Sequence, residues 1–126
     1  MKARKIAYWI TTALVALAIG SGGVFDALRV KDAMDIFTHL GYPEHFAVVL
    51  GIWKILGAIT LLAPGLPRAK EWAYAGIFFD LTTAAVAHAA ANDPVSAMIN
   101  PIVILVLLIV SWKLRPDSRK LSGPVL

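Results

Sequence analysis

The sequence predicts an all-α protein: a bundle of four transmembrane helices with a short amphipathic helix between spans one and two. Three observations lead there. Of the 126 residues, 59% are hydrophobic and only 16% charged, against about a quarter charged in an ordinary soluble domain. The apolar residues gather into four runs, 6–25, 46–63, 72–91 and 94–114, each near the ~20 residues that cross a hydrocarbon core at 1.5 Å per residue. Proline, glycine and charge separate the runs, which is the punctuation of short turns and leaves one integral membrane domain with no room for a soluble one.

Taken in order, the chain opens on a basic head with Lys2, Arg4 and Lys5, followed by the uncharged run Ile6–Phe25. Ala16-Leu17-Ala18 has the small-residue character of a signal cleavage site. The apolar run continues past it, and a cleaved signal would leave an odd number of spans, so a retained first span is the preferred reading. Gly20, Gly22 and Gly23 either loosen the end of this helix or let another helix approach closely. In the polar interval 26–45, Ala33, Ile36, Phe37 and Leu40 fall on one helical face. They predict a helix over 32–40 lying at the membrane surface, ended by Gly41 and Pro43. The turn Pro64-Gly65-Leu66-Pro67 closes the second span, and Pro67 suits the first turn of the next helix. Asn92 ends the third span, Asp93 is placed to cap the fourth, and Pro101 inside that span predicts a kink. The polar tail 115–126, with two prolines, is expected not to pack.

The charges set an orientation. The head, the 64–71 turn and the tail hold nine basic residues (Lys2, Arg4, Lys5, Arg68, Lys70, Lys113, Arg115, Arg119, Lys120) against Glu71 and Asp117. The opposite loops hold Arg29 and Lys31 against Asp26, Asp32, Asp35, Glu44 and Asp93. Basic loops stay in the cytoplasm, so both termini are expected there. The net charge of +4 is therefore a topology signal and points to no nucleic acid. Tyr8, Trp9, Trp72, Tyr74 and Trp112 are expected to form an aromatic belt at that boundary. With no cysteine, disulfides and thiolate chemistry within the chain are excluded.

Two charges interrupt the spans. Lys54 lies nine residues before Ala63, and Asp80 eight after Trp72, so in a hairpin both sit about 12–14 Å below the turn. Gly51, Lys54, Gly57, Ala58 and Leu61 share one face, and Ala73, Gly76, Asp80, Ala84, Ala87 and Ala91 form a small-residue stripe on the other helix. Such faces turn into the bundle. A mid-span charge costs roughly 2.5–3.5 kcal/mol, which pairing offsets, so a Lys54–Asp80 ion pair is expected. The pair either fixes helix register or lines a cavity that holds a polar head or moves a proton. His88, two turns beyond Asp80, is a candidate for the outer mouth, and Asn100 before Pro101 for the bundle centre. Trp53, Phe78 and Phe79 either stack on a ring-shaped ligand such as a quinone or face lipid. Asp26 and Arg29 are three apart and suit a local pair or a cap on the cavity. His39, His45 and His88 have no ligand spacing, so no metal is expected. No nucleophile–base arrangement or phosphate loop is present, so no catalysis is expected from the chain alone.

Gly41-Tyr42-Pro43, Gly51 with Lys54 and Gly57, the Leu-Leu-Ala-Pro turn, Glu71-Trp72-Ala73 with Gly76, then His88 and Asp93 occur in an order and spacing that resembles the DoxX-like family of small bacterial four-helix membrane proteins. The resemblance covers roughly Gly20 to Arg115. It implies four spans in a bacterial inner membrane and raises a role as membrane subunit or quinone-side partner of an oxidoreductase, with quinone as the cofactor concerned. It assigns no catalytic residue. Two other classes stand beside it: a small transporter or lipophile-binding protein using a Lys54–Asp80 cavity, and a structural scaffold that oligomerises through its small-residue faces.

Overall fold

The computed structural model describes residues 2–121. Five α-helices follow one another: α1 (Lys2–Ala27), α2 (Lys31–Leu40), α3 (Glu44–Leu62), α4 (Pro67–Ala90) and α5 (Val95–Leu114), with a 3-10 turn at Asp117–Arg119. By length and composition α1, α3 and α5 can each cross a membrane. With 24 residues α4 is long enough, about 36 Å at the helical rise, but it carries Arg68, Lys70, Glu71 and Asp80. The long helices form a ring in the order α1, α3, α4, α5, with each neighbour antiparallel. The most extensive contact is between α1 and α3.

That contact is built on glycine. A Cβ added at Gly23 would lie 2.7 Å from the carbonyl oxygen of Gly51, and one added at Gly51 would lie 2.6 Å from that of Gly23. The two backbones therefore touch directly, as small residues allow in membrane helices. Farther along the same seam a Cβ at Gly20 would meet that of Ala58 at 3.3 Å. Val15, Ile19, Leu61, Tyr74, Ile77, Leu81 and Leu108 make the apolar core. Most other large apolar side chains face outward, as they must when lipid is the solvent.

One end of the ring is basic. Arg4 donates to the carbonyl of Lys113 at 3.0 Å, and Arg115 pairs with Glu71 at 2.9 Å. Arg119 donates to the carbonyls of Leu61 and Ala63 at 2.7 and 2.8 Å, so the last carbonyls of α3 gain a cationic cap. The expectation of an unpacked tail fails here for that reason; residues 122–126 lie outside the described residues. Buried Lys70 also donates to the carbonyls of Ala63 and Gly65. The aromatic belt is only partly as expected. Trp9, Trp72 and Trp112 are exposed, but Tyr8 and Tyr74 are buried. The Tyr74 hydroxyl bonds Ser111 Oγ at 2.7 Å, and Ser111 bonds Thr12 at 2.6 Å. That pairing offsets the burial of the Tyr74 phenol, whereas the equally buried Tyr8 hydroxyl has no hydrogen-bond partner among the described residues.

At the opposite end α1, α2 and α4 all close on a left-handed residue: Arg29 (φ 57), Gly41 (φ 87) and Asn92 (φ 60). In each, the following amide reaches back over a full turn, Val30 to Phe25, Tyr42 to Phe37 and Asp93 to His88. This satisfies carbonyls that would otherwise be orphaned. Asp93 does not cap α5, which begins after Pro94 without a side-chain cap. Pro101 lies inside α5, where it cannot donate to the carbonyl of Ala97.

Candidate functional site

The half of the ring away from the basic end holds a cavity of about 850 Å³. Its position follows from the small residues of α4. Gly76, Ala84 and Ala87 line the cavity, and a Cβ at Gly76 would meet nothing within 4 Å. The α4 stripe thus leaves a gap where the α1–α3 seam closes one. α2 covers the mouth. Its apolar face, Ala33, Ile36, Phe37 and Leu40, lines the cavity, so the helix roofs the bundle and does not simply lie on the membrane surface. Phe37, Tyr42 and Phe46 pack around that roof, with ring centroids 4.8–6.2 Å apart.

Deep in the cavity three charges meet. Lys54 Nζ donates to Asp26 Oδ2 at 3.0 Å and lies 4.0 Å from Asp80 Oδ2. The expected Lys54–Asp80 approach is present, but Asp26 is the nearer, hydrogen-bonded partner. The suggested local pair of Asp26 with Arg29 is not formed, since Arg29 instead pairs with Glu44 at 3.1 Å. The glycine seam permits it: Lys54 Cβ lies against the Gly23 position and Asp26 Cβ against the Gly51 position, 2.8 and 3.0 Å from a Cβ added there, so the lysine stem runs along the seam to reach the carboxylate. The repeated spacing Gly23-Val-Phe-Asp26 and Gly51-Ile-Trp-Lys54 is the signal that could have revealed it.

Lys54, Asp80, His88 and Asn100 all line this one cavity. Trp53 does not: its side chain points outward from α3, 66% exposed. Phe79 lines the cavity, whereas Phe78 lies outside it. The histidines are less scattered than the sequence suggests. His88 Nδ1 and His39 Nε2 each lie 2.7 Å from an oxygen of Asp93. His45 remains apart and exposed. A carboxylate only accepts, so each ring donates through the nitrogen facing Asp93. The result is a latch joining α2, α4 and the loop before α5.

The DoxX-like family model matches residues 10–111. The chain belongs to the DoxX-like family. No curated protein and no solved structure gives a significant match. The matched region of this DoxX-like chain contains α2, α3, α4 and all but the first turns of α1, and so holds the entire cavity.

The latch makes a prediction for this DoxX-like protein. The hydrogen bonds from His88 and then His39 hold the Asp93 carboxyl below its ordinary value. A depressed carboxyl contributes its stability above the unfolded pKa, about 3.9, and loses it as pH falls through the folded value. The Asp93 contribution to the latch is therefore constant at neutral pH and fades only below about pH 4. Asp93→Asn imitates that acid state at pH 7. It is expected to raise amide hydrogen exchange across residues 31–40 while exchange in the α1–α3 seam is unchanged; equal exchange in α2 would show that the latch does not hold it.

Proposed function

We propose that this protein is a lipophile-binding membrane protein, a small carrier or transporter, whose ligand enters the α2-covered cavity and sets its polar head against Lys54, Asp26 and Asp80. The observation that carries the reading is the combination of size, walls and base. About 850 Å³ is within the roughly 300–1,000 Å³ of small-molecule sites, which are mostly apolar with a few convergent polar groups. Apolar walls from α1, α2, α4 and α5 surround one charged cluster. Ionisable groups inside a membrane cost enough that a bundle keeping three of them around an open space favours use over mere helix register. The basic end, with Arg4, Lys70, Lys113, Arg115 and Arg119, is assigned to the cytoplasm, so the α2 roof faces outward.

Gly76→Leu tests this. Nothing lies near the position, and leaving glycine in a helix gains up to about 1 kcal/mol, so the variant is expected to fold at least as well as the parent. It should also occupy the space beside Asp80 and abolish ligand retention. Native mass spectrometry of the detergent-purified pair checks both. A small hydrophobic molecule retained by the parent and lost in Gly76→Leu supports the reading; a retained quinone or a second subunit would favour the redox-partner role. An empty parent that no lipophile stabilises leaves the scaffold role.

A further inference from the structure

We infer that the cavity selects lipophilic cations: molecules with an aromatic or branched apolar body and one positive charge. This rests on the cavity being a binding site, as proposed above, and adds the charge class of what it takes. Three carboxylates line the cavity, Asp26, Asp32 and Asp80, against the single ammonium of Lys54. With His88 neutral, the lining side chains sum to −2, from one positive and three negative charges. The ammonium is not shared evenly. It is hydrogen-bonded to Asp26 at 3.0 Å and stands 4.0 Å from Asp80, whose carboxylate has no hydrogen-bond partner among the described residues. In a low-dielectric bundle an uncompensated carboxylate is costly, and a cation arriving from the cavity relieves it.

The walls agree with the base. Phe25, Phe37, Tyr42, Phe46 and Phe79 line the cavity, and ring faces attract cations while disfavouring anions. Among the described residues, every internal cation–ring contact lies at the other end of the bundle, where Lys113 and Arg115 approach Trp112, and Arg119 approaches Tyr8 and Trp9. The cavity rings meet no cation from the described residues. A bare inorganic cation would satisfy Asp80 but leave the apolar walls and most of the volume unused. A lipophilic cation uses both, and Asp32, exposed on α2 at the mouth, offers it a first negative charge on entry.

The test uses the full chain in neutral detergent and three probes of related shape: tetraphenylphosphonium, tetraphenylborate and neutral triphenylphosphine oxide. Saturable thermal stabilisation is the readout. Tetraphenylphosphonium is expected to bind, and Asp80→Asn to weaken it by about tenfold or more, as removal of a contacting charge does away from bulk water. Asp80→Asn leaves the Lys54–Asp26 pair in place. Should that variant fail to fold, Asp32→Asn on the exposed face of α2 serves, with a smaller loss for the phosphonium and none for the neutral oxide. Borate binding as tight as phosphonium, or phosphonium affinity unchanged in both variants, overturns the charge selectivity while the cavity reading stands. Failure of all three probes to stabilise the folded parent overturns both.

Discussion

Lys54→Met is expected to destabilise the folded protein by about 3–5 kcal/mol, the usual cost of removing one member of a buried ion pair. The ammonium is the only cationic group between two carboxylates. Its side chain is 19% exposed, Asp26 is 8% and Asp80 17%, so none of the three is well placed to recover its hydration. Without Lys54, Asp26 and Asp80 face each other across the cavity floor with like charge. The informative comparison is Lys54→Met with Asp26→Leu. It removes the hydrogen-bonded pair as a unit, and replacing a buried pair by apolar groups of similar size is often close to neutral. The double variant should therefore regain part of the stability lost by the single one, the remainder being the cost of Asp80 left without its cation, measured by denaturant unfolding in a fixed detergent. A single variant as stable as the parent would mean that the pair contributes nothing to the fold.

The same cluster marks how far a sequence can be read. The layout of the bundle is visible because lipid imposes a length and an apolar surface on every span, and runs such as 46–63 and 94–114 carry both. Four of the five residues singled out as ligand candidates, Lys54, Asp80, His88 and Asn100, line one cavity; their polarity inside apolar runs made them visible. Trp53 was indistinguishable in sequence from an inward aromatic, because rotation of α3 is set by packing and the helix is apolar on nearly every side. Asp26 has the sequence signature of a loop residue, a charge just after an uncharged run, whereas α1 continues to Ala27. The His39–Asp93–His88 latch joins residues 54 and five positions apart, and no local pattern encodes a contact made only after α2 folds back over the ring. The α4 stripe shows a further ambiguity. Small residues permit close approach but do not require it, and whether they yield a seam or a void depends on the opposite helix.

That distinction makes the three glycines of α3 and α4 respond differently to one added methyl group. Gly51→Ala places a Cβ 2.6 Å from both the amide nitrogen of Ala27 and the carbonyl oxygen of Gly23. Backbone atoms cannot swing away, so α1 and α3 must separate, at about 1–3 kcal/mol for an overpacked contact. The gain in helix propensity, up to about 1 kcal/mol, offsets only part of that. At Gly57 the nearest atom would be a methyl of Ile77 at 3.6 Å, an ordinary contact, and at Gly76 nothing lies within 4 Å. Gly57→Ala and Gly76→Ala are thus expected to be neutral or stabilising under conditions where Gly51→Ala unfolds early. Separation of the seam also draws Asp26 on α1 away from Lys54 on α3. In a double-mutant cycle, Gly51→Ala should therefore reduce the cost of Lys54→Met, with a coupling of roughly 0.5–3 kcal/mol, whereas Gly57→Ala should leave that cost unchanged. Additive behaviour of Gly51→Ala with Lys54→Met would show that the ion pair follows Asp26 side-chain adjustment and not the distance between the two backbones.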